Sequence, residues 1–238
     1  MQTYNNCGPA AIAEVLRYWG IARTQGQVQA VLRADGNPRG MVLYGVPSYA
    51  RSLGLETMIG VEGNDTLVKA LVANGFPVMV SQWVSDSSRI AHYRPIEAYD
   101  DAKGIFVSSD TLLGPGHTIP YDEFDRIWTR NDYEFTVMYP PSKQALLSSV
   151  LASTGWDRTA AYQGALARMS RWAHASSGPG SSDHAGYTGF RELAMAWNQL
   201  QLGQLDAAAE ALRQATAQRA NTVLVGWIAS EVAARRIA

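Results

Sequence analysis

Cys7 is the one cysteine in a chain of 238 residues, and its neighbourhood suits nucleophilic chemistry. It opens a segment, Cys7 to Tyr18, in which Ala10, Ala11, Ala13, Val15 and Leu16 favour a helix. Asn6 stands as the N-cap and Gly20 as the stop. A helix N-terminus carries partial positive charge and lowers the pKa of a thiol placed on it. Taken alone, a single cysteine is more commonly a small hydrophobe in a core. A thiol nucleophile also needs a base to ionise it and donors for the oxyanion of the tetrahedral intermediate.

Four histidines could supply the base: His92, His117, His174 and His184. His92 opens a strand, His92 to Tyr99, which turns through Asp100 to Lys103 into another, Gly104 to Ser109. A hairpin centred on residue 101 sets Asp110 directly opposite His92, at a Cβ separation of about 4.5–5.5 Å. A carboxylate there fixes the tautomer of the imidazole. Gln2, five residues before Cys7, offers a side-chain amide that with the Cys7 backbone N–H makes a two-donor oxyanion hole. The candidate site is therefore Cys7, His92, Asp110 and Gln2, with no metal and no cofactor.

The elements around these residues follow from local signals. Thr24 caps a helix running to Leu32, with Gln27 completing a capping box. Gly36 to Gly40 is a loop, and Tyr44 to Leu53 a helix closed by Gly54. Leu55 to Val61 is a strand, and Asn64 caps a helix over Asp65 to Ala73. Val78, Val80 and Val84 mark another strand. Leu113 to Gly116 has Gly/Pro turn composition, Tyr121 to Thr129 is a short helix and Tyr133 to Tyr139 a last strand. Helices first and an antiparallel sheet later give an α+β order. Pro140-Pro141 marks a boundary, so residues 1–141 form one domain and 142–238 an all-α extension. Gly178 to Gly189 reads as a loop between helices.

The motifs resemble those of a known family. Gln2-Thr-Tyr-Asn-Asn-Cys-Gly-Pro-Ala-Ala is similar to the nucleophile motif of papain-like cysteine peptidases of the bacteriocin-processing, double-glycine-leader type. His92-Tyr-Arg-Pro-Ile-Glu-Ala-Tyr-Asp-Asp resembles the histidine strand of that family. Ser109-Asp110, then Ile119-Pro-Tyr-Asp-Glu-Phe and Trp128, resembles its acidic segment and closing helix. The resemblance spans roughly residues 1 to 141. It implies a papain-like fold, a Cys–His–Asp triad and a glutamine oxyanion donor. The Gln-to-Cys spacing is one residue shorter than in papain, and the strand that precedes the glutamine in the family is not in this sequence.

Past the boundary, Ala196, Gly203, Ala208 and Ala215 are small where two helices of a tetratricopeptide repeat approach closely, and Ala208-x3-Leu212 fits its helix-packing slot. About residues 189 to 220 resemble one such repeat, with Ala160 to Ala175 as a degenerate predecessor and without the proline expected near residue 220. A generic helical hairpin is the competing reading. A repeat implies a surface for a protein partner, or a platform that braces the first domain. Bracing is favoured, because roughly three repeats are needed for independent stability.

A formal net charge of −1 gives no field to steer nucleic acid or an anionic membrane surface. No apolar run reaches the roughly 18 residues of a membrane span. A peptide or protein is the expected substrate. Three functions fit: a peptidase working through an acyl-thioester on Cys7, a binding module on the same fold, and an acyl transferase with the same triad. The intact Cys7, His92 and Asp110 favour catalysis. A complete chain implies the cytoplasm; one that has lost an export signal implies secretion or the cell envelope.

Overall fold

In the computed structural model, which describes residues 1–34, 40–129, 132–172 and 189–237, three helices precede the sheet. Helix α1 (Cys7–Tyr18) buries Ala11, Ile12, Val15 and Leu16. Asn6 occupies its N-cap position but makes no capping hydrogen bond. Helix α2 (Gln25–Leu32) carries the expected box: Thr24 accepts from the Gln27 N–H, and the Gln27 side chain accepts from the Thr24 N–H. A 3-10 turn, Leu43–Gly45, leads into α3 (Val46–Ser52). After β1 (Glu56–Gly60), α4 (Asp65–Ala73) is capped by the Asn64 side chain, which accepts from the Leu67 N–H at 2.9 Å.

The remaining strands are β2 (Val78–Ser85), β3 (Ser88–Asp100), β4 (Ile105–Asp110), β5 (Gly114–Pro120) and β6 (Phe135–Tyr139), with α5 (Tyr121–Trp128) before the last. They form one antiparallel sheet in the order β1-β6-β2-β3-β4-β5. The expected α+β class is present. Of the expected turn Leu113–Gly116, Leu113 lies in a turn, but Gly114 to Gly116 begin β5: Asp110 pairs with Gly114 and Ser108 with His117 around a bulge. Gly114 (φ +109°) and Gly116 (φ +73°) lie where L side chains are strained, so the glycines serve an irregular edge strand.

The β3–β4 hairpin turns later than expected. Asp100 pairs with Ile105, Tyr99 with Phe106 and Ala98 with Val107. Glu97 is then a bulge, and Ile96 pairs with Ser108. Carried on without the bulge, that register would set Asp110 opposite Pro95, on the face away from His92. The extra residue shifts the register by one, so that, extended past the last pair, it sets Asp110 opposite Arg94, two positions from His92 and on its face. The expected direct His92–Asp110 pairing is thus replaced by a diagonal one, with Arg94 between them in register.

The sheet is covered on both faces, and strand alternation divides its side chains between two cores. Met79, Tyr93 and Met138 join α1 to α3 in one core. Val78, Val80, Ile96, Phe135 and Val137 join α4 and α5 in the other.

After Pro140 the described chain is helical: α6 (Gln144–Thr154), α7 (Arg158–Trp172), α8 (Phe190–Gln201), α9 (Leu205–Ala217) and α10 (Thr222–Ile237). Most of the loop expected at Gly36–Gly40 and at Gly178–Gly189 lies outside the described residues, as do His174 and His184. These helices share the cores of the sheet. Leu147 and Val150 of α6 enter the core with α4 and α5. Leu193, Ala196, Trp197, Leu224 and Ile228 enter the core with α1 to α3. Trp227 lies so close to Gly45 that a Cβ there would meet its ring at 2.8 Å. Arg51 pairs with Glu231, the Tyr162 hydroxyl donates to the Ile59 carbonyl at 2.5 Å and Trp156 Nε1 to the Val61 carbonyl at 2.9 Å. Helices α8 and α9 turn at Gly203 (φ +71°), with Ala196, Ala208 and Ala215 fully buried. Among the described residues no helix is long and apolar enough to cross a membrane.

Candidate active site

The start of α1 holds Cys7 partly exposed. The segment leading to it is tied to α2. Gln25 Oε1 accepts from the Thr3 N–H (2.8 Å) and from Asn6 Nδ2 (3.0 Å), and Gln25 Nε2 donates to the Met1 carbonyl (3.0 Å). Asn6 gives its Nδ2 to Gln25, while its Oδ1, the atom that would cap α1, accepts no hydrogen bond. That leaves the helix N-terminus around the sulfur without a side-chain cap, where its partial positive charge acts on the thiol.

His92 lies on β3, buried to 2 % exposure, with Nε2 at 3.1 Å from Asp110 Oδ1 and 3.2 Å from Oδ2. The imidazole and the Cys7 thiol are close enough to shift each other's pKa. With Nε2 committed to Asp110, Nδ1 is the ring nitrogen left for another partner. Asp110 is held from further sides. Its Oδ1 accepts from the N–H groups of Leu112 (2.7 Å) and Leu113 (2.8 Å), and its Oδ2 from Arg94 Nε (2.5 Å). Arg94 is completely buried and spends its other nitrogens on Gln82 Oε1 (2.8 Å) and the Val84 carbonyl (3.2 Å).

Burial pushes the Cys7 thiol up, but the hydrogen bond and charge of His92, with the backbone of Tyr93 and Gly8, outweigh it and leave the pKa lowered. Burial works against a charged His92, while Asp110 and Cys7 raise its pKa above the ordinary value. Burial likewise opposes the Asp110 carboxylate, yet His92, Arg94 and the Leu113 N–H hold it far below the usual carboxylate range. All three shifts favour a thiolate–imidazolium pair braced by an ionised carboxylate.

Gln2 is ordered against the end of β4: its N–H donates to the Thr111 carbonyl (2.7 Å), and its Oε1 accepts from the Thr111 hydroxyl (2.8 Å). The structure thus brings Cys7, His92 and Asp110 into one chain of contacts and sets Gln2 beside the residue that follows Asp110. His117 lies on β5 opposite Ser108, its pKa lowered by burial and by Arg94. Among the described residues no group of His, Cys, Asp and Glu is arranged to hold a metal ion.

Sequence reasoning missed Arg94, Gln82 and Thr111. Arg94 has the one available signal: an arginine at the same strand parity as His92 and Ile96 points to a face that buries apolar residues. A charge there needs a partner.

A thiol at a helix start, a strand histidine and a buried carboxylate form an arrangement suited to thiol nucleophilic chemistry. Residues 1–135 match the family described as "Peptidase_C39 like family", and the chain belongs to that family. Among solved structures it is similar to the peptidase domain of Streptococcus ComA, a bi-functional ABC transporter involved in a quorum-sensing pathway, at 19% identity and a TM-score of 0.49, over 59% of this chain and 95% of that one. It is also similar to a double glycine motif protease from an AMS/PCAT transporter in complex with the leader peptide, at 21% identity and a TM-score of 0.45, over 59% and 88%. A comparison with curated proteins gives no match.

Proposed function

We propose that this member of the family is an active cysteine peptidase with Cys7 as nucleophile, His92 as general base and acid, and Asp110 as the carboxylate that orients His92. The observation that carries the reading is the relay of contacts from Cys7 through His92 to Asp110. In this reading Sγ attacks the peptide carbonyl, the C–S bond forms, and the π electrons move to the oxygen. Gln2 and the Cys7 N–H receive the oxyanion. The tetrahedral intermediate collapses as His92 protonates the leaving amine, giving an acyl-thioester. Water, deprotonated by His92, releases the acid and restores the thiolate.

Residues 142–238 act, in the same proposal, as a brace for residues 1–141. The shared cores support this: α10 packs on Gly45 through Trp227, and α7 bonds the outer edge of β1 through Tyr162. A peptide is the substrate class that the family supports.

Alkylation of Cys7 by iodoacetamide across pH, followed by mass mapping, tests the nucleophile. A midpoint below the ordinary thiol value of about 8.5 is expected. Inertness up to that pH would point to a binding module instead.

A further inference from the structure

We propose that Thr111 positions Gln2 as an oxyanion donor, so that one dipeptide of β4 and its following turn, Asp110-Thr111, orients both the base and the oxyanion hole. The inference rests on the reading of Cys7 as nucleophile and Gln2 as donor. Thr111 is buried to 1 % exposure and contacts Gln2 twice. The Gln2 N–H on the Thr111 carbonyl (2.7 Å) fixes where the Gln2 backbone lies. The Thr111 hydroxyl on Gln2 Oε1 (2.8 Å) fixes which way the amide faces.

The second contact matters because a carboxamide is nearly symmetric in shape but not in chemistry. One end accepts and the other donates, and an oxyanion needs the donor. A hydroxyl donating to Oε1 holds the acceptor end at Thr111 and presents Nε2 away from it. The anchor is itself rigid. Asp110 Oδ1 takes the N–H groups of Leu112 and Leu113 at 2.7 and 2.8 Å, so Thr111 sits inside a turn closed by the same carboxylate that holds His92. Gln25 and the Asn5 carbonyl, which accepts from Arg33 at 2.9 Å, tie down the rest of the segment between Gln2 and Cys7. Preorganisation of this kind makes an oxyanion donor effective, because no reorientation is left to the moment of reaction.

Two probes separate the donor from the thiolate without a known substrate. With the aldehyde acetyl-glycyl-glycinal, Sγ adds to the carbonyl carbon, one C–S bond forms, the π pair moves to oxygen and nothing leaves. The oxygen is held by the oxyanion donors or takes the proton of the His92 imidazolium. With iodoacetamide, Sγ displaces iodide and no oxyanion forms. Thr111→Val keeps the size and the backbone carbonyl but removes the hydroxyl, and Thr111→Ser restores it.

The expected result is an aldehyde affinity about tenfold weaker in Thr111→Val, a fraction of the roughly hundredfold or larger effect of losing a donor outright. Affinity should return in Thr111→Ser, and the pH profile of alkylation should stay unchanged. In the Gln2→Ala background, Thr111→Val should add nothing, since the two then act as a unit. An unchanged aldehyde affinity in Thr111→Val, with Gln2→Ala weakened, overturns the role of Thr111 and leaves the peptidase reading standing. Equal affinity in both overturns Gln2 as donor and Thr111 with it. A shifted alkylation profile in Thr111→Val overturns the proposal by showing that the hydroxyl acts through the thiolate. A wild-type Cys7 with the pH profile of a free thiol is the separate failure of the nucleophile itself.

Discussion

Arg94→Met removes a guanidinium that is wholly buried and bound to Asp110, Gln82 and Val84. The Met side chain fills much of the same volume, so the loss is mainly electrostatic. Asp110, at 2 % exposure, is left as a buried carboxylate with His92 and two backbone N–H groups as its donors. Removing one member of a buried ion pair costs about 3–5 kcal/mol, because the remaining charge is uncompensated. Gln82 Oε1 and the Val84 carbonyl also lose a donor, but the backbone donors on Asp110 offset part of the sum, so that range is kept. For a chain of this size it corresponds to a melting point lowered by about 6–20 °C. Thermal melting and urea denaturation at pH 7.5 measure it. Arg94→Met combined with Asp110→Asn removes both charges, so the double variant should be at least about 1 kcal/mol more stable than the sum of the single losses predicts. A single-variant loss under about 1 kcal/mol, or strict additivity, would refute the account of Arg94 as a stabilising charge partner of Asp110.

His92→Gln should move the alkylation midpoint of Cys7 upward, since His92 supplies the main forces that offset burial there; a midpoint that stays put contradicts this. Asp110 has a depressed pKa in the folded state, so its contribution is complete above the unfolded value of about 3.9 and is lost as pH falls through the folded value. Stability curves of the wild type and Asp110→Asn should therefore converge in acid, and parallel curves down to pH 2 would show the carboxylate is not the cause. A chain ending at Pro141 loses the partners of Gly45, Ile59 and Val61 and should melt well below the full-length protein; an unchanged midpoint rules out the brace. Ala208→Leu places three extra carbons in a fully buried helix contact and should cost about 1–3 kcal/mol by thermal melting, against no loss if α9 can shift freely.

The helices around the site were legible because their signals are local. The Thr24–Gln27 box, the Asn64 cap and the apolar face of Cys7 to Tyr18 need only a few consecutive residues to define α2, α4 and α1. The types of the reactive side chains were legible for the same reason: a thiol at a helix start, a histidine and a carboxylate flanking one turn. The sequence by itself therefore determined which residues were available and which elements carry them. Their meeting was decided by tertiary structure. The expected hairpin set Asp110 straight across from His92, whereas the turn falls later and the Glu97 bulge restores the shared face through a diagonal contact. A bulge depends on which strand register buries the better face, and that is settled by both cores together rather than by the hairpin residues. The Gly/Pro segment of β5 is similar: its glycines signal a turn locally, while pairing with β4 extends the strand through them. The contacts of Arg94 and Thr111 were hidden from the sequence because they depend on tertiary packing. A buried charge and a buried hydroxyl acquire their roles from partners far along the chain, Asp110 for one and Gln2 for the other, and those distances close only when the sheet and the N-terminal segment pack.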